Sequence, residues 1–211
     1  VGTGAGKAVS ALLTDMDRPL GVTIGNALET REAFEVLAGG GPADVRECTL
    51  LLGIEMLRLG GKASTDEAAR ARLEAALASG EGVRVMERMV EAQGGDPRVV
   101  TDPSRLTVAP VAVQVTAPRG GFVEDVDPLA LGLAAVALGA GRTRADQRVD
   151  PSVGLTLHVA LGDAVAEGQP LASIHALPEA AAGVAERVAA AFRVGDAAPE
   201  VGPLLLGRVS S

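Results

Sequence analysis

The chain reads TDMDRPLGVTIGNALETREAFEVLAGGGP from Thr14 to Pro42. A short apolar strand is predicted just before this stretch, at residues 9–13, and Pro19-Leu20-Gly21 is typical of a turn. Helix-forming residues then predict a helix over residues 27–38, which the following glycines and Pro42 end. A strand that leads through a turn into a helix is characteristic of α/β proteins. This stretch therefore predicts an α/β fold for the first part of the chain.

Three further helices are predicted after Pro42, at residues 43–59, from a capping box at 64–67 to about 78, and at 82–93. In the capping box, the Ser64 hydroxyl and the Glu67 carboxylate are expected to satisfy each other's free backbone amides. The helix at 43–59 carries apolar side chains at helical spacing, which predict a buried stripe of Val45, Cys48, Leu52, Met56 and Leu59. Residues 1–103 are thus expected to be the closing part of a larger mixed-sheet α/β domain whose sheet begins before residue 1.

Residues 96–110 lose helical periodicity and gain prolines, which predicts a domain boundary. The elements predicted after it are strands at 111–115, 122–126, 155–159, 171–175 and 204–209 and helices at 128–138 and 179–192. The first two strands are expected to pair as a hairpin, and Asp127 is expected to cap the helix that Pro128 begins. A tight, hammerhead-like turn is predicted at 162–170. Residues 104–211 are therefore expected to form a small α/β domain with a hammerhead-like turn. Within the overall α/β class, this C-terminal domain is expected to be of the α+β type.

Two long blocks of sequence resemble the pyrimidine-nucleoside phosphorylases, the family that includes thymidine phosphorylase. The first block contains LLTDMDRPLG, IGNALETREA and GGGPADVRE, and the second contains GFVEDVDPLALGLAAVALGAGR and VDPSVGLTLHVALGDAVAEGQPLASIHA. The two blocks occur in the same order as in the family, and together they cover nearly the whole chain. They match only the C-terminal half of such an enzyme, and residues 104–211 correspond to the C-terminal domain of the family.

Composition argues against several classes of partner. The net charge of −8 and the pI near 4.8 argue against binding to nucleic acid or to an anionic membrane surface. The sequence has no apolar run long enough to span a bilayer and no signal peptide, so a cytoplasmic location is expected. Because residue 1 is not Met, the natural start is expected upstream. The one cysteine, Cys48, excludes an internal disulfide and is expected in the core.

Several local motifs invite a functional interpretation that their details do not support. Lys7 follows a glycine-rich stretch, but a phosphate-binding loop requires Ser or Thr after that lysine and a helix after the loop. The turn at 162–170 resembles those of biotinyl and lipoyl carriers, yet no lysine follows Lys62 in the chain. His158 and His175 have no third metal ligand at a recognisable spacing, so metal binding there is not expected.

Asp15 and Asp17 form another pattern of interest, two carboxylates at the carboxyl end of a predicted strand. Functional groups of α/β proteins often lie at that position, and paired acids can act in acid/base catalysis. Asp17 is followed by Arg18 and Pro19, a combination that is equally typical of turns. Both interpretations remain open from the sequence.

The resemblance implies phosphorolysis. In this family, phosphate is the co-substrate that attacks the anomeric carbon of thymidine, deoxyuridine or uridine, releasing the base and a pentose 1-phosphate in pyrimidine salvage. The motifs that bind phosphate and the pyrimidine lie in the N-terminal half, so no catalytic or substrate-binding residue is assigned to this chain, and the chain alone is expected to be inactive. The family's full-length proteins are homodimers whose contact is made chiefly by N-terminal helices.

The resemblance also implies a cation site. In the bacterial enzymes, a monovalent cation near the phosphate loop is bound by two backbone carbonyls and a glutamate, which correspond here to the carbonyls of Leu20 and Thr23 and to the carboxylate of Glu32. Hard oxygen ligands of this kind suit potassium, sodium or calcium. Without the resemblance, Glu32 is interpreted as a solvated helix residue paired with Arg31 or its neighbours.

Two other functions remain as alternatives. One is a related phosphorylase that acts on another nucleoside or on a nucleoside monophosphate. The other is a noncatalytic module that uses its carrier-like sheet to bind a partner or to support an oligomer. A Lys-His-Ser-type glycine loop upstream would favour either enzyme over the module.

Overall fold

A computed structural model describes residues 1–210. Its helices are α1 (Asn26–Leu37), α2 (Ala43–Leu59), α3 (Asp66–Ala78), α4 (Glu81–Ala92), α5 (Pro128–Leu138) and α6 (Pro178–Ala190). Its strands are β1 (Ser10–Thr14), β2 (Thr23–Ile24), β3 (Val111–Thr116), β4 (Gly121–Val126), β5 (Gly154–Leu157), β6 (Ala164–Val165), β7 (Pro170–His175), β8 (Phe192–Gly195) and β9 (Leu205–Ser210). Helices and antiparallel sheets together confirm the expected mixed α/β fold class.

The chain divides into two compact units that are not simple halves of the sequence. The first unit contains residues 1–15, 33–101 and 202–210, and the second contains residues 16–32 and 102–201. One change of unit, between Thr101 and Asp102, lies beside the predicted boundary at 103/104. However, residues 16–32 belong to the second unit, although the rest of that unit begins only at residue 102. The last strand, β9, belongs to the first unit, although it follows the second unit in sequence.

The first unit contains a two-stranded antiparallel ribbon of β1 and β9 together with the helices α2, α3 and α4. The strand predicted near 204–209 therefore does not complete the C-terminal domain as expected, because it pairs with β1. The register of the ribbon joins Ser10 to Ser210 and Leu12 to Arg208. One face of the ribbon consequently carries Arg208 and Ser10, two polar side chains that contact α2 through Glu55.

The buried face of α2 differs from the predicted one. Leu50 and Ile54 are buried, with 1% and 3% of their surface exposed, whereas Leu52 and Met56 of the predicted stripe are 50% and 73% exposed. The prediction of a buried stripe was wrong because α2 is apolar on more than one side. Helical spacing identifies apolar stripes but cannot choose between two of them.

The residue that caps α3 is Thr65 and not Ser64. The Thr65 side-chain oxygen accepts a hydrogen bond from the Ala68 amide at 3.2 Å, and α3 begins at Asp66. The cap therefore lies one residue after the predicted one. The third residue of the helix is Ala68 instead of the acidic residue that a capping box requires.

Replacing Thr65 with alanine is expected to lower the free energy of unfolding by about 1 kcal/mol, because the Ala68 amide loses its acceptor. Replacing Ser64 with alanine is the matched control and is expected to change stability by less than about 0.5 kcal/mol. Urea titrations followed by circular dichroism at 222 nm measure both values. Equal losses in the two variants would contradict the assignment of the cap.

The second unit contains two antiparallel sheets, with strand orders β2-β5-β7-β3 and β6-β4-β8. The predicted hairpin of β3 and β4 was wrong: β3 pairs with β7, and β4 pairs with β6 and β8. The turn after β3 sends the chain into the other sheet. Strand partners depend on contacts between distant segments, which local turn signals do not specify.

The core of the second unit lies between these sheets and the helices α5 and α6. Among its fully buried side chains are Leu131 of α5, Leu155 of β5, Ile174 of β7 and Val188 of α6. The predicted start of α5 is confirmed, since the Asp127 side chain accepts a hydrogen bond from the Ala130 amide at 2.9 Å. At the end of α6, Phe192 was predicted to be helical but begins β8.

Candidate functional site

The candidate site of the second unit is the turn that leads into β2. β2 is an edge strand whose only neighbour within the described sheet is β5, and the Leu157 amide donates to the Val22 carbonyl at 2.7 Å. Carbonyls alternate in direction along an antiparallel strand. The carbonyl of Thr23, one of the predicted ligands, therefore points to the open edge of the sheet. The Thr23 hydroxyl is buried and has no hydrogen-bond partner within residues 1–210.

Glu32 of α1 lies beside this turn. Its side chain is 7% exposed, and its Oε1 atom accepts a hydrogen bond from the Val22 amide at 2.9 Å. Interpretation as a solvated helix residue is therefore wrong. Its neighbour Arg31 donates through Nη2 to the Leu106 carbonyl. A buried carboxylate and a carbonyl that points out of the sheet are both hard oxygen ligands of the kind that alkali and alkaline-earth cations prefer.

The first turn of α1 is held firmly in place. The Gly25 amide donates to Glu29 Oε1 at 2.9 Å, the Ala27 amide donates to the Pro151 carbonyl at 3.0 Å, and Asn26 Nδ2 donates to the Ala140 carbonyl at 2.9 Å. These bonds fix the start of the helix against the loops before β5. Because Glu32 belongs to the same helix, its carboxylate is held in position relative to β2. Leu20, the remaining predicted ligand, lies in the turn and is 46% exposed.

One face of the sheet β2-β5-β7-β3 carries a row of polar side chains. The register places Thr23 opposite Thr156 and Thr156 opposite Ser173. His175 Nε2 lies 2.9 Å from the Thr156 hydroxyl, and His158 Nε2 lies 2.7 Å from the Ser173 hydroxyl. Sequence reasoning missed this row, although the alternation of polar and apolar residues in TLHV (156–159) and ASIH (172–175) contains the signal. Within residues 1–210, no group of three or more His, Cys, Asp or Glu side chains is arranged to hold a metal ion.

The hydrogen bonds of His175 assign its tautomer. Nδ1 lies 3.2 Å from the Ala109 carbonyl, which only accepts, so Nδ1 carries the proton and Nε2 accepts from Thr156. Burial lowers the pKa of His175, the nearby charges of His158 and Arg31 act in the same direction, and the bond to Ala109 opposes them. The folded protein therefore favours the neutral imidazole more strongly than the unfolded chain does.

Acidification is expected to destabilise the second unit through His175. Its folded pKa lies below the ordinary value of about 6.5, so the unfolded chain binds the proton first and stability falls as the pH drops below about 6.5. Replacing His175 with glutamine should flatten this part of the stability profile, whereas the His158→Gln control should keep most of it because burial of His175 is unchanged. Urea titrations at several pH values test this, and equal slopes in wild type and His175→Gln would contradict it.

The two acids after β1 have separate surroundings. The Asp15 amide donates to the Leu204 carbonyl and so extends the pairing of β1 with β9. Asp17 lines a cavity of about 370 Å³ in the second unit together with Asp125 and Asp127. The use of Asp15 and Asp17 as an acid/base pair stays a hypothesis.

The remaining motifs have structural surroundings. The glycine-rich N-terminus forms a short 3-10 helix, Thr3–Ala5, before Lys7. Cys48 is half-buried in α2, and burial, with a smaller contribution from the charge of Asp44, raises the pKa of its thiol. A thiol with a raised pKa is a poor nucleophile at neutral pH. Among the described residues, no helix is both long enough and apolar enough to cross a membrane.

Comparison with known proteins finds relatives that are similar in sequence over most of the chain. Residues 122–195 match the family described as pyrimidine nucleoside phosphorylase C-terminal domain. The chain is 39% identical over 206 residues to the pyrimidine-nucleoside phosphorylase of Geobacillus stearothermophilus, covering 98% of this chain and 47% of that protein. It is 39% identical over 176 residues to the protein of the same name from Bacillus subtilis, covering 83% of this chain and 41% of that protein.

A third relative extends the similarity to nearly every residue. The pyrimidine-nucleoside phosphorylase of Staphylococcus aureus is 35% identical over 209 residues, which are 99% of this chain and 48% of that protein. The chain therefore spans about half the length of the curated relatives it matches.

Proposed function

We propose that this chain, whose residues 122–195 belong to the pyrimidine nucleoside phosphorylase C-terminal domain family, is the C-terminal part of a pyrimidine-nucleoside phosphorylase. The observation that carries the proposal is identity of 35–39% over most of the chain to enzymes of that name. The proposed reaction joins phosphate to the pentose of a pyrimidine nucleoside. It releases the free base and forms a pentose 1-phosphate.

The proposed role of this chain in the reaction is to position groups. Phosphorolysis of a nucleoside develops positive charge on the sugar between a departing base and an incoming phosphate, so catalysis depends on holding both partners in place. No catalytic side chain is assigned to residues 1–210 in this proposal. The buried Glu32 and its bond to the Val22 amide keep the turn before β2 in a fixed conformation.

We further propose that the carbonyls of Leu20 and Thr23 and the carboxylate of Glu32 hold a monovalent cation such as potassium. Three features support this fit: the burial of Glu32, the outward direction of the Thr23 carbonyl and the buried Thr23 hydroxyl. When bound, such an ion supplies positive charge near the phosphate. Ligands from the other half of the enzyme would complete its coordination.

An activity assay tests the proposed function. Phosphate-dependent release of thymine or uracil from its nucleoside is measured for this chain and for a version extended upstream to the length of its relatives. We expect activity only in the extended protein, because the substrate-binding groups are assigned to that part. Inactivity of both proteins would contradict the function, and activity of the 211-residue chain alone would contradict the assignment of the catalytic groups.

The cation is tested by replacing Glu32 with glutamine in the extended protein. Wild type is expected to lose activity and thermal stability when potassium is exchanged for tetramethylammonium, and the Glu32→Gln variant is expected to be insensitive to the exchange. Glu35→Gln is the matched control, since Glu35 is an exposed glutamate of the same helix. If the Glu32→Gln variant responds to potassium as wild type does, the ligand assignment is wrong.

The cellular setting follows from the same proposal. We place the protein in the cytoplasm, in salvage of pyrimidine nucleosides, and as a homodimer when full length. The acidic charge of −8 supports a small-molecule substrate over nucleic acid or an anionic membrane as the partner of this chain.

A further inference from the structure

The Thr23 hydroxyl is a buried polar group that the protein leaves without a partner. Within residues 1–210, three side-chain polar atoms are buried and have no hydrogen bond: Thr23 Oγ1, Arg31 Nε and Glu55 Oε1. Glu55 Oε1 still forms the ion pair with Arg208, and Arg31 still donates through Nη2 to a backbone carbonyl. The Thr23 hydroxyl has no such compensation. An unpaired buried hydroxyl is costly, so this group calls for a ligand or a water molecule.

The neighbouring threonine limits the kind of group that can satisfy this hydroxyl. Thr156 lies directly opposite Thr23. Because the Leu157 amide bonds to the Val22 carbonyl, this pair is of the non-hydrogen-bonded kind, in which side chains approach most closely. The Thr156 hydroxyl donates its proton to Nε2 of His175, which accepts in the tautomer assigned above. The Thr156 oxygen therefore offers only lone pairs, and a cation or a hydrogen-bond donor fits beside it better than an anion does.

The hydroxyl belongs to a residue that already supplies a proposed ligand of the cation. The backbone carbonyl of Thr23 points to the open edge of the sheet, since the Leu157 amide bonds instead to Val22. The carbonyl oxygen and the hydroxyl oxygen of one threonine are joined only through the carbonyl carbon, Cα and Cβ, so both can contact the same ion. The hydroxyl is neutral, and the proposed carboxylate ligand, Glu32, balances a single positive charge. The hydroxyl therefore adds a ligand and keeps the site matched to a monovalent ion.

We propose that the Thr23 hydroxyl is a further ligand of the cation and that it makes the site prefer potassium over sodium. The inference rests on the proposed assignment of Leu20, Thr23 and Glu32 as ligands. Ion preference depends on the size of a site and on the number of its ligands. Potassium, the larger ion, accommodates more oxygen atoms around it than sodium does, so an additional neutral oxygen stabilises bound potassium more. Thr23 thereby determines selectivity in addition to supplying a carbonyl ligand.

Thermal unfolding of the extended protein in different salts tests the proposal. Unfolding midpoints are measured against potassium or sodium concentration, with tetramethylammonium keeping the ionic strength constant, and the dependence gives an apparent affinity for each ion. Thr23→Val keeps the shape of the side chain and the backbone carbonyl but removes the hydroxyl. It is expected to weaken potassium binding about tenfold and sodium binding by less than about threefold. Thr23→Ser keeps a hydroxyl and should retain the preference for potassium.

Stability without a binding ion distinguishes a cation ligand from an ordinary structural group. In tetramethylammonium alone, Thr23→Val is expected to be at least as stable as wild type, because the unpaired hydroxyl is gone. Added potassium should reverse that order. Thr30→Val is the matched control, because the Thr30 hydroxyl donates to the Asn26 carbonyl at 2.7 Å and its loss should change stability by the same amount in both salts. If Thr23→Val lost equal stability in both salts, the hydroxyl would bond to water or protein and the proposal would be overturned.

Two further results distinguish a wrong ligand from a wrong site. A wild type that gains no stability from potassium, or a Glu32→Gln variant that gains as much as wild type, would overturn the cation site and the role of the hydroxyl with it. A response of wild type that Glu32→Gln abolishes, together with an unchanged ratio of potassium to sodium affinity in Thr23→Val, would overturn the role of the hydroxyl alone.

Discussion

Replacing Arg208 with methionine is expected to lower the stability of the first unit by about 3 kcal/mol, because the substitution leaves a buried charge without its partner. Glu55 of α2 is only 8% exposed. Its Oε2 atom accepts a hydrogen bond from the Ser10 hydroxyl at 2.5 Å, and its Oε1 atom forms an ion pair with Arg208 that lacks hydrogen-bond geometry. Arg208 also contacts Asp66 at 2.9 Å. The arginine thus joins β9 to both α2 and α3.

Two further variants separate the stability lost with the charge pair from the stability lost with the packing of the arginine side chain. The double variant Glu55→Gln/Arg208→Met is expected to regain part of the loss, since a neutral amide requires no counter-charge. Arg193→Met is the control: Arg193 of β8 pairs with Glu124 at 3.4 Å, is 66% exposed and should cost less than about 1 kcal/mol. If Arg208→Met were no more damaging than Arg193→Met, the buried pair would not stabilise this unit.

The readout has to suit the composition of the chain. It contains no Trp and no Tyr, so intrinsic fluorescence reports little. Urea unfolding followed by circular dichroism gives the total change in stability. Hydrogen exchange measured by mass spectrometry gives the local change, and protection of β1 and β9 is expected to fall first in Arg208→Met.

Replacing Gly154 with alanine is expected to cost about 3 kcal/mol or more and to displace β2, because the added methyl group overlaps backbone atoms. A Cβ atom at Gly154 would lie 2.2 Å from the Ile24 carbonyl oxygen and 3.1 Å from the Gly25 Cα atom. Backbone atoms of a paired strand cannot rotate away as a flexible side chain can. Gly25 opposes Gly154 at φ 131°, a conformation that favours glycine, so this close approach uses glycine on both strands.

Gly183→Ala is the matched control for Gly154→Ala. Gly183 is an exposed residue inside α6, and a Cβ atom there would meet nothing within 4 Å. Alanine is expected to stabilise the protein at that position by up to about 1 kcal/mol through its higher helix propensity. Thermal and urea unfolding of both variants test whether Gly154→Ala lowers the stability and Gly183→Ala raises it.

Because β2 carries the Thr23 carbonyl, Gly154→Ala in the extended protein should also weaken the response to potassium, and a full response would contradict the proposed ligand geometry.

The sequence by itself determined the features that depend on neighbouring residues. The bounds of α2 are those that its composition and flanking glycines predict, and α5 begins at the Asp127 cap and Pro128 as expected. Caps, turns and helix propensity act over a few residues, so a local pattern contains the necessary information. The similarity of two long blocks to the pyrimidine-nucleoside phosphorylases was also present in the sequence and agrees with the matched family and relatives.

Only the tertiary structure decided which residues meet across long separations. It paired β1 with β9, separated β3 from β4, buried Leu50 in place of Leu52, and enclosed Glu32 and Glu55. Each outcome depends on which of several apolar or polar surfaces finds a complementary surface far away in sequence. Burial of a charge such as Glu55 is tolerated only where a distant partner compensates it. A local pattern contains no record of that partner, and the fold alone brings Arg208 to it.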